Sequence, residues 1–310
     1  MGSLPFLEGV FLEDNHFEGE IDTFVEYFDD IMILDASNNK LRGTLPLEFF
    51  KKDKLKVLDL NGNNLEGVLP EFPENNSLEH LALQNNGFSE NVPTSVSNLR
   101  YLTHLDLSNN KFTGSIPALI GTMEYLKRLY LAANAFWGET PDGIGSPIPD
   151  FLKDLASSLE RLSLRDTWRT GAIPEWMANM TGLVLLDLGE NALEGTLSNQ
   201  TFAEMLQLKY LLFDKNLLEG TVPYVMGRLP NLRILTVEEN NFTALGTNSS
   251  GFCENLPLLG KTGTIFSADC GFPTANSINI TRKETISCSC CTECCSSGRE
   301  CHDWAKLLSD

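Results

Sequence analysis

Asp35 and Asp59 stand 24 residues apart. Two carboxylates held about 5 Å from each other are the arrangement with which retaining glycosidases cleave a sugar linkage. His80 and His104, also 24 residues apart, are a potential pair of imidazole ligands. Two ligands without a third do not make a metal site, so they read as surface histidines, with no metal. Lys127, Arg128, Tyr130, Arg161 and Arg165 suit another chemistry, the docking of an acidic or sugar-rich partner through guanidinium and aromatic contacts. Cys253, Cys270, Cys288, Cys290, Cys291, Cys294, Cys295 and Cys301 are all the cysteines of the chain. They can crosslink it or bind a soft metal. No nucleophile elbow, phosphate-binding glycine loop or zinc-protease helix motif occurs, so neither catalysis nor a cofactor is expected.

Residues 24 apart come side by side when the chain repeats with that period. The stretch Leu102 to Pro117, LTHLDLSNNKFTGSIP, is the template. Leu105 and Leu107 alternate with His104 and Asp106, which predicts a short strand with one face in a core and the other in solvent. Asn110 sits where the chain must turn, and its amide can satisfy backbone groups of neighbouring turns that would otherwise be buried unpaired. Gly114 tolerates a tight backbone and Pro117 fixes φ on the return path. One such unit cannot bury its own apolar edge, whereas stacked copies can.

Ten units follow, beginning at Leu7, Ile31, Leu55, Leu78, Leu102, Leu126, Leu159, Leu183, Leu208 and Leu232, with steps of 24, 24, 23, 24, 24, 33, 24, 25 and 24 residues. The turn asparagines are Asn15, Asn39, Asn63, Asn86, Asn110, Asn134, Asn191, Asn216 and Asn240. The seventh unit departs, with Thr167 in that place and Arg169 where the next apolar residue belongs. Nine extra residues enter between the sixth and seventh units, in a stretch punctuated by Pro141, Gly143, Gly145, Pro147 and Pro149. This is a longer surface loop, and a lip if a binding area lies beside it. The second half of most units reads Gly-x-apolar-Pro, as in Gly43 with Pro46, Gly67 with Pro70, Gly171 with Pro174 and Gly220 with Pro223.

On these motifs the chain resembles the plant-type extracellular leucine-rich repeat family over about three quarters of its length. The resemblance implies an α/β-type repeat solenoid, a right-handed arc with a concave parallel sheet and mostly 3₁₀ or extended pieces on its convex side. It divides the chain into a solenoid of ten repeats, residues 1–245, and a disulfide-rich C-terminal cap and tail, residues 246–310. The tail run CSCCTECC is similar to that of algal leucine-rich repeat proteins. Cys253 is expected to pair with Cys270; a metal-thiolate cluster is the rival reading. Ten strands at about 4.8 Å would make a face on the order of 45 Å long, a surface for a protein, peptide or glycan chain.

Specificity belongs on the outward positions of the sheet. The third-position column runs Gly9, Ile33, Val57, His80, His104, Arg128, Arg161, Leu185, Tyr210, Ile234. With Lys127, Tyr130 and Arg165 beside it, the middle of this column is a cationic island and the candidate binding patch; on the plainer reading these charges pair with their neighbours. Asp35, Asp59, Asp106 and Asp187 share the fifth column. An open sheet is expected to give neither the desolvation nor the closed pocket that a glycosidase needs.

Lys plus Arg number 23 against 42 Asp plus Glu, a net charge of −19. This argues against nucleic acid and anionic membranes as partners. No apolar run is long enough to span a bilayer. The start is already inside the first repeat and carries no leader, so the natural beginning is expected to lie upstream. Sequons at Asn75, Asn179, Asn199, Asn241, Asn248 and Asn279, with the clustered cysteines, fit an oxidising secretory route and an extracellular or cell-surface location. The function expected is a recognition or adhesion module, on its own or as the ectodomain part of a receptor-like protein, binding a protein, peptide or glycan. One rival is a wall or matrix component crosslinked through its tail to a disulfide-linked partner. Another is ice or mineral-surface binding, for which Thr44, Ser115 and Thr196 recur on the convex side but Val68 and Ala172 break the column.

Overall fold

A three-residue strand that recurs once per turn leaves leucines on one face and hydrogen-bonding groups at both edges, and the next copy satisfies both. The computed structural model describes residues 6–23, 28–137, 145–245, 265–268 and 293–294. The chain forms two compact units, residues 1–169 and 170–310. The boundary expected after residue 245 falls at the edge of the described residues. The side chains of all eight cysteines lie outside them, as do the Cys253 to Cys270 pairing, Asn248 and Asn279.

The principal sheet of the first unit runs in chain order and all parallel: Gly9–Phe11, Ile33–Asp35, Val57–Asp59, His80–Ala82, His104–Asp106, Arg128–Tyr130 and Arg161–Ser163. The middle residue of each later strand, from Leu34 to Leu162, is fully buried. Return segments bring Phe88, Phe112 and Phe136 into the same core, stacked at 6.3 and 6.2 Å. Pro46, Pro93, Pro117 and Pro149 each precede a 3₁₀ turn, at Leu47–Lys51, Thr94–Asn98, Ala118–Thr122 and Asp150–Leu155. In each turn the proline carbonyl accepts the first i+3 hydrogen bond, and its missing N–H falls where no partner is needed.

The return segments also pair with one another. Glu18–Glu20, Lys40–Gly43, Asn64–Gly67, Gly87–Asn91 and Lys111–Thr113 form a second parallel sheet in the first unit. The family resemblance implies extended or 3₁₀ pieces there, and says nothing of whether they pair. Their pairing uses main-chain groups alone, so it leaves no mark on side-chain periodicity.

In the second unit the principal strands are Leu185–Asp187, Tyr210–Leu212, Ile234–Thr236, Ile265–Ala268 and Glu293–Cys294. The second sheet there consists of Thr170–Gly171, Ala192–Thr196, Leu217–Val222 and Asn241–Leu245. Its return turns are 3₁₀ at Glu175–Asn179 and Tyr224–Arg228, and one α-turn, Asn199–Phe202, whose cap Ser198 accepts the Gln200 N–H at 3.1 Å. Both units are thus stretches of repeat solenoid with parallel sheets and 3₁₀ or extended return paths.

The buried turn asparagines join successive turns. Asn63 donates through Nδ2 to the carbonyls of Ala36, Leu60 and Asn61 at 3.0, 3.1 and 3.1 Å, while its Oδ1 accepts the Leu41 N–H at 3.0 Å. Asn39, Asn86, Asn110, Asn134, Asn216 and Asn240 repeat this four-bond pattern. Asn191 donates to Leu188 and Gly189, and the exposed Asn15 bonds only within its own turn. The residue before each asparagine is left-handed, from Asp14 at φ 56° to Glu239 at φ 53°. At Gly62 that conformation comes with tight space, since a Cβ there would run into Asn38 Oδ1.

The seventh unit keeps its turn by other means. Thr167 Oγ1 donates to Leu164 O at 2.6 Å, as an asparagine there would. The buried Arg169 donates from Nε and Nη2 to Thr167 O at 2.9 and 2.8 Å, and from Nη1 to Pro147 O at 3.2 Å. Threonine thus takes the carbonyl three residues back, as the amide does elsewhere, and arginine ties down two other carbonyls, those of Thr167 and Pro147.

Candidate functional site

Strands of three residues present two outward columns, at their first and third positions. Pairing in the first unit is strictly in register, so His80, His104, Arg128 and Arg161 stand side by side on successive strands. The neighbouring column reads Asp35, Asp59, Ala82, Asp106, Tyr130, Ser163. The His80 and His104 rings stack with centroids 4.1 Å apart at 29°. Tyr130 lies 5.6 Å from the His104 ring at 55°, and its hydroxyl is hydrogen-bonded by the Arg161 side chain. Arg128 is exposed between them.

The electrostatics follow from partial burial. Burial first, then the nearby His80, Arg128 and Arg161 charges, push His104 down to about 3. His80 is lowered too, again chiefly by burial, with Asp59 opposing. Both imidazoles are therefore neutral at physiological pH, and the fixed positive charge of the column is that of its two arginines. Burial raises Asp59, and raises Asp106 to about 6. Tyr130 is also raised, mainly by burial. The expectation that an open sheet would leave its carboxylates fully solvated does not hold for these two aspartates.

The aspartate column nevertheless has a structural task. Asp35 Oδ1 accepts from the Ser37 N–H and hydroxyl at 3.0 and 2.7 Å, Asp59 Oδ1 from the Asn61 N–H and Nδ2 at 3.1 and 2.6 Å, and Asp106 Oδ1 from the Ser108 N–H at 2.9 Å. In the second unit Asp187 Oδ1 accepts the Gly189 N–H at 3.2 Å. Each carboxylate ties down the backbone two residues on, the turn-forming habit of aspartate. Asp35 and Asp59 do lie opposite one another, but an oxygen of each is engaged in its own turn.

The remaining basic candidates sit around the column. Lys127, at the entry to its strand, is exposed and paired with Glu160 at 3.1 Å. Arg165 follows the seventh strand and is half-buried. Of the inserted loop, residues 138–144 lie outside the described residues, and Ser146 bridges to Arg169 beyond them. Tyr101 and Tyr125, not among the residues expected from the sequence, are 58% and 57% exposed and stack at 6.3 Å beside the same strands. A tyrosine directly before the first leucine of two consecutive units was the available signal. The sequon residues Asn75, Asn179, Asn199 and Asn241 are exposed, and none belongs to a principal-sheet strand. Among the described residues no cluster of three or more His, Cys, Asp or Glu has metal-site geometry. No described helix is long and apolar enough to cross a membrane.

Comparison with known proteins agrees with this architecture. The family described as "Leucine rich repeat" matches residues 76–136, and a second of the same description matches residues 54–76. A probable LRR receptor-like serine/threonine-protein kinase of Arabidopsis thaliana is 36% identical over 102 residues, which are 33% of this chain and 9% of that protein. Among solved structures, the plant peptide hormone receptor RGFR1 in complex with RGF2 superposes with a TM-score of 0.70 at 25% identity, over 84% of this chain and 39% of that one. A TDR receptor superposes with a TM-score of 0.67 at 25% identity, over 83% and 43%. This chain therefore spans less than half the length of the receptors it resembles. A plant ice-binding protein shares the fold alone, at 23% identity and a TM-score of 0.51 over 77% of this chain and 74% of that one. Over residues 54–136 the chain matches the leucine-rich repeat family, and its fold is similar to that of the plant LRR receptors.

Proposed function

We propose that the chain is an extracellular recognition module of a receptor-like protein, and that it binds a protein or peptide carrying acidic groups on the outward face of the first unit's principal sheet. The observation that carries this reading is the column His80, His104, Arg128, Arg161 with Tyr130 beside it, aligned strand by strand. On a chain of net charge −19, two arginines flanked by neutral aromatic and imidazole rings form a local site for anions. Rings at this spacing add rigid, partly apolar contact area, the composition that dominates binding energy at interfaces.

Two further facts support the reading. Asn75, the exposed sequon of the first unit, belongs to no strand of this face, so a glycan attached there would stand off it. RGFR1, a solved neighbour with a similar fold, is a plant peptide hormone receptor. The face is a surface for binding, with its aspartates engaged in turns. Ice binding finds no support, because the second sheet of the first unit exposes Lys40, Arg42, Glu66 and Lys111 rather than a regular threonine array.

The test is the double substitution Arg128→Glu with Arg161→Glu, read against a partner recovered from extracellular fluid. Loss of that partner is the expected result. Unchanged affinity would remove the patch from consideration.

A further inference from the structure

One return turn of the second unit departs from the others. Pro46, Pro93, Pro117, Pro149, Pro174 and Pro223 each lead into a 3₁₀ turn, whereas Ser198 leads into the α-turn Asn199–Phe202. That turn packs against the preceding one, Glu175–Asn179. Beside them lies a cavity of about 270 Å³, lined in part by Glu175, Thr196, Leu197, Ser198, Thr201 and Phe202. This is just under the usual span of small-molecule sites, about 300–1,000 Å³, and suits one sugar-sized ring rather than a chain.

The lining divides into an apolar floor and a polar rim. Leu197 and Phe202 are buried, and between them Thr201 is only 4% exposed. Its hydroxyl has no hydrogen-bond partner among the described residues. A buried hydroxyl left unpaired is costly, and a ligand that reaches it is rewarded. Glu175, Thr196 and Ser198 are exposed at the rim. Ser198 Oγ accepts the Gln200 N–H at 3.1 Å, which leaves its own proton to donate. Hydroxyls that donate and accept, a carboxylate that accepts and an apolar floor together match a pyranose, with hydroxyls at its edge and C–H groups on its faces.

We propose that this cavity seats the first sugar of an N-glycan carried by Asn199. Asn199, Gln200 and Thr201 form a sequon, and its threonine is the buried hydroxyl of the cavity. Asn199 opens its turn as Glu175 opens the one before, so the two stand one repeat apart, and Glu175 is already on the rim. Helical side chains lean toward the N-terminus of their helix, which for Asn199 is the side of Thr196, Leu197 and Ser198. Attachment forms a bond from Asn199 Nδ2 to C1 of N-acetylglucosamine. The C1–oxygen bond to the lipid diphosphate donor of the secretory route breaks, and the amide proton leaves with the diphosphate. Since folding buries Thr201, the transfer precedes closure of the turn. The tether then holds the ring at an effective concentration of order millimolar, enough for a shallow site. The inference rests on the secretory route of the preceding reading and on none of its ligand argument.

The full chain secreted from a eukaryotic host provides the test. Glycopeptide mass spectrometry should find Asn199 occupied. Under native conditions a peptide-N-glycosidase should release its glycan an order of magnitude more slowly than those at other occupied sequons such as the exposed Asn179. Ala172→Phe crowds the cavity, which Ala172 also lines, without touching the sequon, and should bring Asn199 to the rate of the others. In the unaltered chain with a carbon-13-labelled glycan, nuclear Overhauser contacts should join the first sugar ring to the Thr201 methyl. A bare Asn199 beside occupied sequons would overturn the seat and leave the first unit's ligand patch untouched. It would do so even if free N-acetylglucosamine shifted the Thr201 methyl resonance, because the sugar would then come from outside the chain. Release at the rate of Asn179, slow release that persists in Ala172→Phe, or no contact to Thr201 would each overturn it as well.

Discussion

His80 and His104 stack with their centroids 4.1 Å apart, a closeness that suits two neutral imidazoles and that protonation opposes. The unfolded chain takes up a proton on His104 near pH 6.5, whereas the folded chain holds it off until about 3. The unfolded state therefore binds more protons across that window, and stability is lost as pH falls through it. His104→Gln should remove on the order of 1–3 kcal/mol of acid sensitivity between pH 7 and pH 4. Urea unfolding of both chains at the two pH values measures it.

Asp106 has the opposite sign. Its pKa is raised to about 6 from 3.8, so the folded state keeps a proton that the unfolded state has lost. The ionised carboxylate then costs stability progressively from about pH 4 to 6, and fully above. Asp106→Asn retains an Oδ1 acceptor for the Ser108 N–H. It should stabilise the chain by about 1–3 kcal/mol at pH 7.5 and by almost nothing at pH 4. Thermal melts at both pH values give the comparison.

Asn63 and Asn15 occupy equivalent positions with unequal duties. Asn63→Ala strands three buried carbonyls and the Leu41 N–H, and should cost about 3 kcal/mol or more. Asn15 is exposed and bonds only within its turn. Asn15→Ala should cost under about 1 kcal/mol. Equal effects in chemical denaturation would mean that the amide does not link the turns.

These contrasts show what the sequence made legible. The spacing of the leucines gave the repeats, and a fixed period forces register, so the alignment of His80, His104, Arg128 and Arg161 could be read before any coordinates. Pairing of the return segments could not, because main-chain hydrogen bonds do not depend on residue type. The left-handed column was half visible, in Asn38, Gly62, Asn85 and Asn109, residue types that tolerate positive φ; Ala133, Glu190, Lys215 and Glu239 adopt it under constraint from the stack.

Arg169 is held only by being satisfied. Truncation to alanine leaves a cavity and frees the Thr167 and Pro147 carbonyls, and should cost about 3 kcal/mol or more. Restoring the pattern of the other units with Thr167→Asn and Arg169→Phe together should recover most of that loss, since an apolar replacement of a buried ion is often neutral. Melting temperatures of the two variants decide the matter.

Hydroxyl-radical footprinting of the full chain with and without its captured partner tests most directly where recognition occurs. Protection should fall on His80, His104, Tyr130, Tyr101 and Tyr125, and it should disappear in Arg128→Glu. Protection confined to the second sheet of the first unit, around Lys40, Arg42 and Lys111, or a footprint unchanged by Arg128→Glu, would contradict recognition by the histidine and arginine column.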